Sequence, residues 1–142
     1  MALIVATFIN ELNGMTREAD DPSDELGKAI TNFAGSVTPT VLPAIQKAAD
    51  QVLLNAFKAT NAQNQLPALL PTILTAYAAT MAGGMSPTFT GVPPVSPIVV
   101  KDIFSTTQER EVFSTIFATR VYTWFLTGTA TNTVSGATTT WL

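Results

Sequence analysis

The sequence predicts a mainly α-helical single domain with a short β element near its C-terminal end. Three observations carry that expectation. Apolar residues recur at helical spacing in five separate stretches. An uncharged stretch with four prolines, residues 81–98, interrupts them. The last fifteen residues are rich in Thr and small side chains and lose the helical period.

The elements follow in order. Leu3, Ile4, Phe8 and Leu12 predict a helix over 2–12, stopped by Asn13-Gly14. In "READDPSDELGK", Asp21 suits an N-cap, Pro22 the first helical position, and Asp24 and Glu25 the positive helix end. Leu26, Ala29, Ile30 and Phe33 then line one face, and Gly35 can end the helix. Thr38-Pro39 opens the next helix, with a stripe of Leu42, Ile45, Ala49, Val52, Leu53, Ala56 and Phe57. After the polar "ATNAQNQ", Leu70, Ile73, Leu74, Tyr77, Ala78 and Met81 form a further stripe that Gly83-Gly84 closes.

"PTVLPAI" (39–45) and "PALLPTI" (67–73) share a Pro-x-x-x-Pro spacing. Proline is comfortable only in a first helical turn. Each helix therefore begins near its second Pro, or begins at the first and bends. The repeat suggests two similar helices side by side, or chance.

Residues 83–104 read as an extended, polyproline-like connector. "STTQEREVFSTIFATRVYTWFLTG" predicts the strongest helix, over 105–127. Ser105 with Gln108, or Thr106 with Glu109, can form a capping box. Phe113, Phe117, Val121, Trp124 and Phe125 form its face, and Gly128 closes it. In the tail, residues 128–142, Ser135-Gly136 suits a hairpin turn between two short strands. A lone hairpin is marginal in water. It must lie on the helices or join a sheet in another chain.

Composition narrows the function. The chain has 142 residues, enough for one sizeable core. Charged residues make up 12%, about half the usual share of roughly 25%. Such a surface is covered by Thr, Ser, Asn and Gln, or by other subunits. A net charge of -3 argues against a phosphate-binding face and hence against nucleic acid. With no Cys there is neither a disulfide nor a thiol nucleophile, and with no His the usual general base and commonest metal ligand are missing. The N-terminal stretch lacks a basic signal-peptide region, and no apolar run of about 18 residues suggests a membrane span. A soluble protein made inside the cell is expected.

The candidate chemical sites are thin. Glu18, Asp20, Asp21, Asp24 and Glu25 lack the spacing of a calcium loop, and helix capping accounts for them. Asp102 is the one acid in an apolar context and reads as an acid at a helix start or a surface ion pair. Arg110 and Arg120 pair with acids across an interface or lie on a solvated flank. A Ser-Lys device needs one of Lys28, Lys47, Lys58 or Lys101 buried. Gly83-Gly84 has no phosphate-loop pattern around it. No enzyme, cofactor or metal is expected.

"YAATMAGGMSPTFTGVPPVSP" (77–97) and "VYTWFLTGTATNTVSGATTTWL" (121–142) together carry a resemblance. An Ala/Met helix ends in Gly-Gly and runs into Thr-Gly-x-Pro-Pro; a last helix runs into a Thr-rich tail with a closing Trp. This pattern resembles small, mostly uncharacterised structural proteins encoded among the tail and virion genes of tailed bacteriophages. The resemblance implies a repeated virion subunit, in the tail, baseplate or neck, made in the host cytoplasm. It implies no catalytic residues.

The expected function is therefore structural: a homo-oligomeric subunit that contacts itself and other virion proteins, with no nucleic acid and no membrane. Phe89, Val92, Pro93 and Pro94 of the stiff connector, Val134 of the tail and Trp141 as an anchor are the expected contact residues. Truncation at 128 is expected to abolish assembly and leave helix content. The alternative is a small helical domain binding an apolar ligand between the 70–81 and 113–125 stripes.

Overall fold

The computed structural model of the chain describes residues 2–14, 22–62, 66–105 and 109–142. Among these, helices α1 (Val5–Asn13), α2 (Pro22–Ala34), α3 (Pro43–Ala62) and α4 (Leu66–Gly83) lead into strand β1 (Phe89–Val92). Helices α5 (Lys101–Ser105) and α6 (Arg110–Phe125) follow, then strands β2 (Thr129–Asn132) and β3 (Thr138–Thr140). The fold is mainly α, with one small antiparallel sheet in the order β1-β2-β3.

Neighbouring helices close a ring. α6 packs on α1, α1 on α2, α2 on α3, α3 on α4, and α5 bridges α4 back to α6. The sheet joins this ring through β1, which lies on α4. One cluster of buried side chains fills the middle, with Phe8, Phe57, Phe117, Phe125 and Trp141 as its largest fully buried members. Each such side chain contributes about 1.5–3 kcal/mol by leaving water. Phe33 ties the ring together, with its centroid 4.5 Å from Phe8 and 6.1 Å from Phe125.

The helices follow the apolar stripes. Leu26, Ala29, Ile30 and Phe33 are all buried on α2, and the Gly35 N–H closes that helix on the Thr31 carbonyl. Leu70, Leu74, Tyr77, Ala78 and Met81 are buried on α4. The α3 stripe is shifted from expectation. Ala49, Leu53 and Phe57 are buried, but Val52 is exposed and Leu54 packs on the core in its place.

The two Pro-x-x-x-Pro segments resolve differently. α3 starts at its second proline, Pro43, so Thr38-Pro39 does not open it. Residues 38–42 run outside any helix, and the Leu42 N–H donates to the Gly84 carbonyl. α4 instead contains both Pro67 and Pro71. The two helices do pack side by side. The 83–104 stretch also departs from a plain connector, because it contains β1 and α5.

The tail forms the expected hairpin, with Gly136 at φ 76 in the turn. Its sheet partner lies within the same chain. Phe89 pairs with Asn132 and Val92 with Thr129. A three-stranded sheet against helices removes the marginality of a lone hairpin. Two close approaches seat it. A side chain at Gly91 would meet the Ala82 carbonyl oxygen at 2.6 Å, and one at Gly128 would meet the Trp141 ring at 2.5 Å.

Candidate interaction surface

Residues 59–100 and 121–142 contain no Asp, Glu, Lys or Arg. These two stretches supply α4, all three strands and the Pro-rich segment. These elements themselves carry no charge, and their polarity comes from hydroxyl, amide and main-chain groups.

Strand alternation decides what this surface presents. The face with Gly91, Ala130 and Trp141 turns to the core, where Ala130 and Trp141 are 0% exposed. The opposite face carries two cross-strand rows. Thr90, Thr131 and Thr138 form one; Val92, Thr129 and Thr140 form the other. Thr131 and Thr138 hydrogen-bond through their hydroxyls at 2.8 Å. The outer face is thus five threonines and one valine.

The expected contact residues divide. Val92 lies on this outer face, and Val134 projects from the β2–β3 turn with 95% exposure. That turn is well held. The Asn132 side-chain oxygen accepts the Val134 and Ser135 N–H groups, and the Thr133 hydroxyl donates toward the Pro87 and Thr88 carbonyls. Phe89 is half-buried against the core, Pro93 is half-buried and Pro94 is buried.

Trp141 is not a surface anchor. Its ring is fully buried, stacked on Phe125 at 6.2 Å, and its indole N–H donates to the Thr129 carbonyl at 2.9 Å. The physical reason is the last ladder pair: the Trp141 N–H bonds to the Gly128 carbonyl, which turns the indole inward. Leu142 then exchanges two main-chain hydrogen bonds with Thr38, at 2.7 and 2.9 Å.

The Pro-rich segment is pinned by α6. The Trp124 indole N–H donates to the Ser96 carbonyl at 2.7 Å. Val95 and Val99, which no spacing pattern singles out, stand 87% and 68% exposed beside it. Between this segment and α6 runs an open groove of about 820 Å³, with Pro97, Ile98 and Trp124 as its apolar lining and Lys101, Asp102 and Arg120 as its charged lining. It lies on the flank of α6, away from the space between the 70–81 and 113–125 stripes. A smaller crevice of about 340 Å³ lies between residues 38–42 and 84–89.

Among the described residues, two polar groupings tie elements together. Asp102 accepts two hydrogen bonds from the Arg120 guanidinium, which also donates to the Val99 carbonyl at 2.9 Å. The Arg120 hydrogen bonds hold the Asp102 carboxyl below its ordinary value. The sequence expectation of an ion pair or helix-start acid is met in both senses, since Asp102 also lies in the first turn of α5. Between α3 and α4, the Tyr77 hydroxyl donates to Asp50 at 2.5 Å, and the Gln46 amide donates to both at 2.8 Å. Burial, then the Asp50 carboxylate, pushes the Tyr77 hydroxyl far above its usual range.

Lys28, Lys47, Lys58 and Lys101 are exposed, so burial prepares none of them as a general base. Among the described residues no group of three or more acids is placed to hold a metal ion. Residues 18, 20 and 21, the proposed caps at 106 and 108, and the side chains of Asp24 and Arg110 lie outside what the structure describes. No helix among the described residues is long and apolar enough to cross a membrane. No family model, curated protein or solved structure matches the chain.

Proposed function

We propose that the chain is a structural subunit of a bacteriophage particle, in the tail, baseplate or neck, contacting copies of itself and other virion proteins. The phage assignment rests on the sequence resemblance of 77–97 and 121–142. The observation that carries the structural role is the uncharged outer face of the sheet, where Val92 stands among five threonines and Val134 projects from the adjoining turn. Free monomers stay soluble and apart through surface charge. A surface without it suits permanent coverage, and its held turn and pinned Pro-rich segment leave little ordering entropy to lose on contact. The role involves no catalysis and no cofactor.

Sedimentation across a concentration series tests the oligomer, and the genes on either side test the particle. A self-associating chain encoded beside tail or baseplate genes supports the reading. A compact monomer at every concentration, encoded away from such genes, overturns it.

The α6-flank groove favours one second reading, a helical domain that binds an apolar ligand. That reading requires a monomer whose melting temperature rises with lipid-like compounds.

A further inference from the structure

The free edge of the sheet is the most specific feature of this surface. In an antiparallel ladder, residues alternate between pointing their N–H and C=O groups at the partner strand and away from it. Here the hydrogen-bonded positions are known. The Asn132 N–H bonds to the Ala137 carbonyl and the Trp141 N–H to the Gly128 carbonyl. With Ala130 opposite Thr139, residues 137, 139 and 141 therefore turn their main-chain groups inward to β2. Thr138, Thr140 and Leu142 turn theirs outward. Leu142 confirms the phase, since its outward groups are the ones that Thr38 takes.

Thr138 and Thr140 have no main-chain partner on that outer side among the described residues. Free edges of natural sheets are usually blunted by a charge, a proline, a bulge or a covering segment. This one has none between residues 138 and 140. All three residues are exposed threonines, which favour extended backbone.

We infer that β3 pairs edge to edge with β3 of a second copy of this chain, antiparallel about a two-fold axis through Thr139. This rests on the self-association in the proposed function and specifies where it occurs. The occupant follows from the register. Opposing Thr138 with the partner copy's Thr140, and the reverse, joins the outward groups of both strands in four hydrogen bonds. The pairing is self-complementary, as a two-fold interface requires. It also ends where it must. Extending the register would place the partner's Gly136 where Thr38 already sits, but the Gly136 turn has by then carried the partner chain back toward its own β2. The outer face would become one six-stranded, Thr-covered sheet without charge repulsion.

The chain has no Cys, so a single introduced thiol reports the geometry. At the axis, Thr139 would face its own copy as a non-hydrogen-bonded pair with Cα atoms about 4.5 Å apart, within disulfide range. Under mild oxidation, Thr139→Cys is expected to cross-link to a dimer, while Val134→Cys on the exposed turn is not. Opposed charges test the register independently. Thr138→Lys with Thr140→Lys places like charges opposite each other and should weaken self-association at least tenfold. Thr138→Lys with Thr140→Glu places unlike charges there and should retain it. Unchanged far-ultraviolet circular dichroism would show each variant folded. If the chain self-associates but Thr139→Cys does not cross-link and the lysine variant behaves as the parent, edge pairing is overturned and the oligomeric reading stands. If the unmodified chain is monomeric at every concentration, both are overturned.

Discussion

The Trp141 ring lies against the α-carbon of Gly128, so close that a methyl group there would sit 2.5 Å from the indole. The contact joins the end of α6 to the last strand and fully buries the indole of Trp141. Gly128→Ala must displace the ring and is expected to cost about 1–3 kcal/mol, read by chemical denaturation. Trp141→Ala leaves a cavity instead and is expected to cost about 3–5 kcal/mol.

Removing residues 141 and 142 deletes both that ring and the two hydrogen bonds of Leu142 with Thr38. The truncated chain is expected to lose cooperative unfolding and its near-ultraviolet circular dichroism. This revises the expectation that a cut at 128 spares the helices. The tail is core, so its removal acts on folding before it acts on assembly. A truncated chain with an unchanged melting transition would contradict the burial of Trp141.

Tyr77→Phe removes the hydroxyl that Asp50 and Gln46 share between α3 and α4. Asp50 keeps only its bond from Gln46 in a half-buried site. A loss of about 1–3 kcal/mol is expected in thermal or urea unfolding.

The Arg120–Asp102 pair predicts a pH dependence. The folded carboxyl is held below its unfolded value by the Arg120 hydrogen bonds. The unfolded chain therefore binds the proton more readily, and the pair stabilises the fold above the ordinary aspartate value of about 4. That contribution fades as pH falls through the lowered folded value. The stability difference between the parent and Asp102→Asn should be level near neutrality and vanish in acid. Both groups are exposed, so the difference should be small and shrink further with added salt.

Helix faces were legible because burial and the 3.6-residue period coincide in them: Phe117, Val121 and Phe125 on α6, Leu70 and Leu74 on α4. The hairpin was legible from Ser135-Gly136, because positive φ narrows the residue choice. β1 was hidden by the prolines around it, and α5 is too short to show a period. Val52 and Leu54 exchanged places because two apolar residues, two apart on a helix, cannot both face the core. Trp141 read as isolated because its neighbours in space, Phe125 and Gly128, give no local pattern with it. The uniform Thr138–Thr140 shows no alternation, so its outer face could not be read from spacing. Which edge stays open depends on the Thr38–Leu142 pairing, a contact no spacing rule reaches.

That pairing also sets an order of events during synthesis. The ring of helices can gather as the chain emerges, but the tie between Thr38 and Leu142 waits until residue 142 has emerged. Until then the core also lacks the Trp141 ring. The long stretch without charge, residues 59–100, is left unshielded over the same interval. Its protection against premature association comes from the prolines within it, which cannot donate to the extended ladders that aggregation needs.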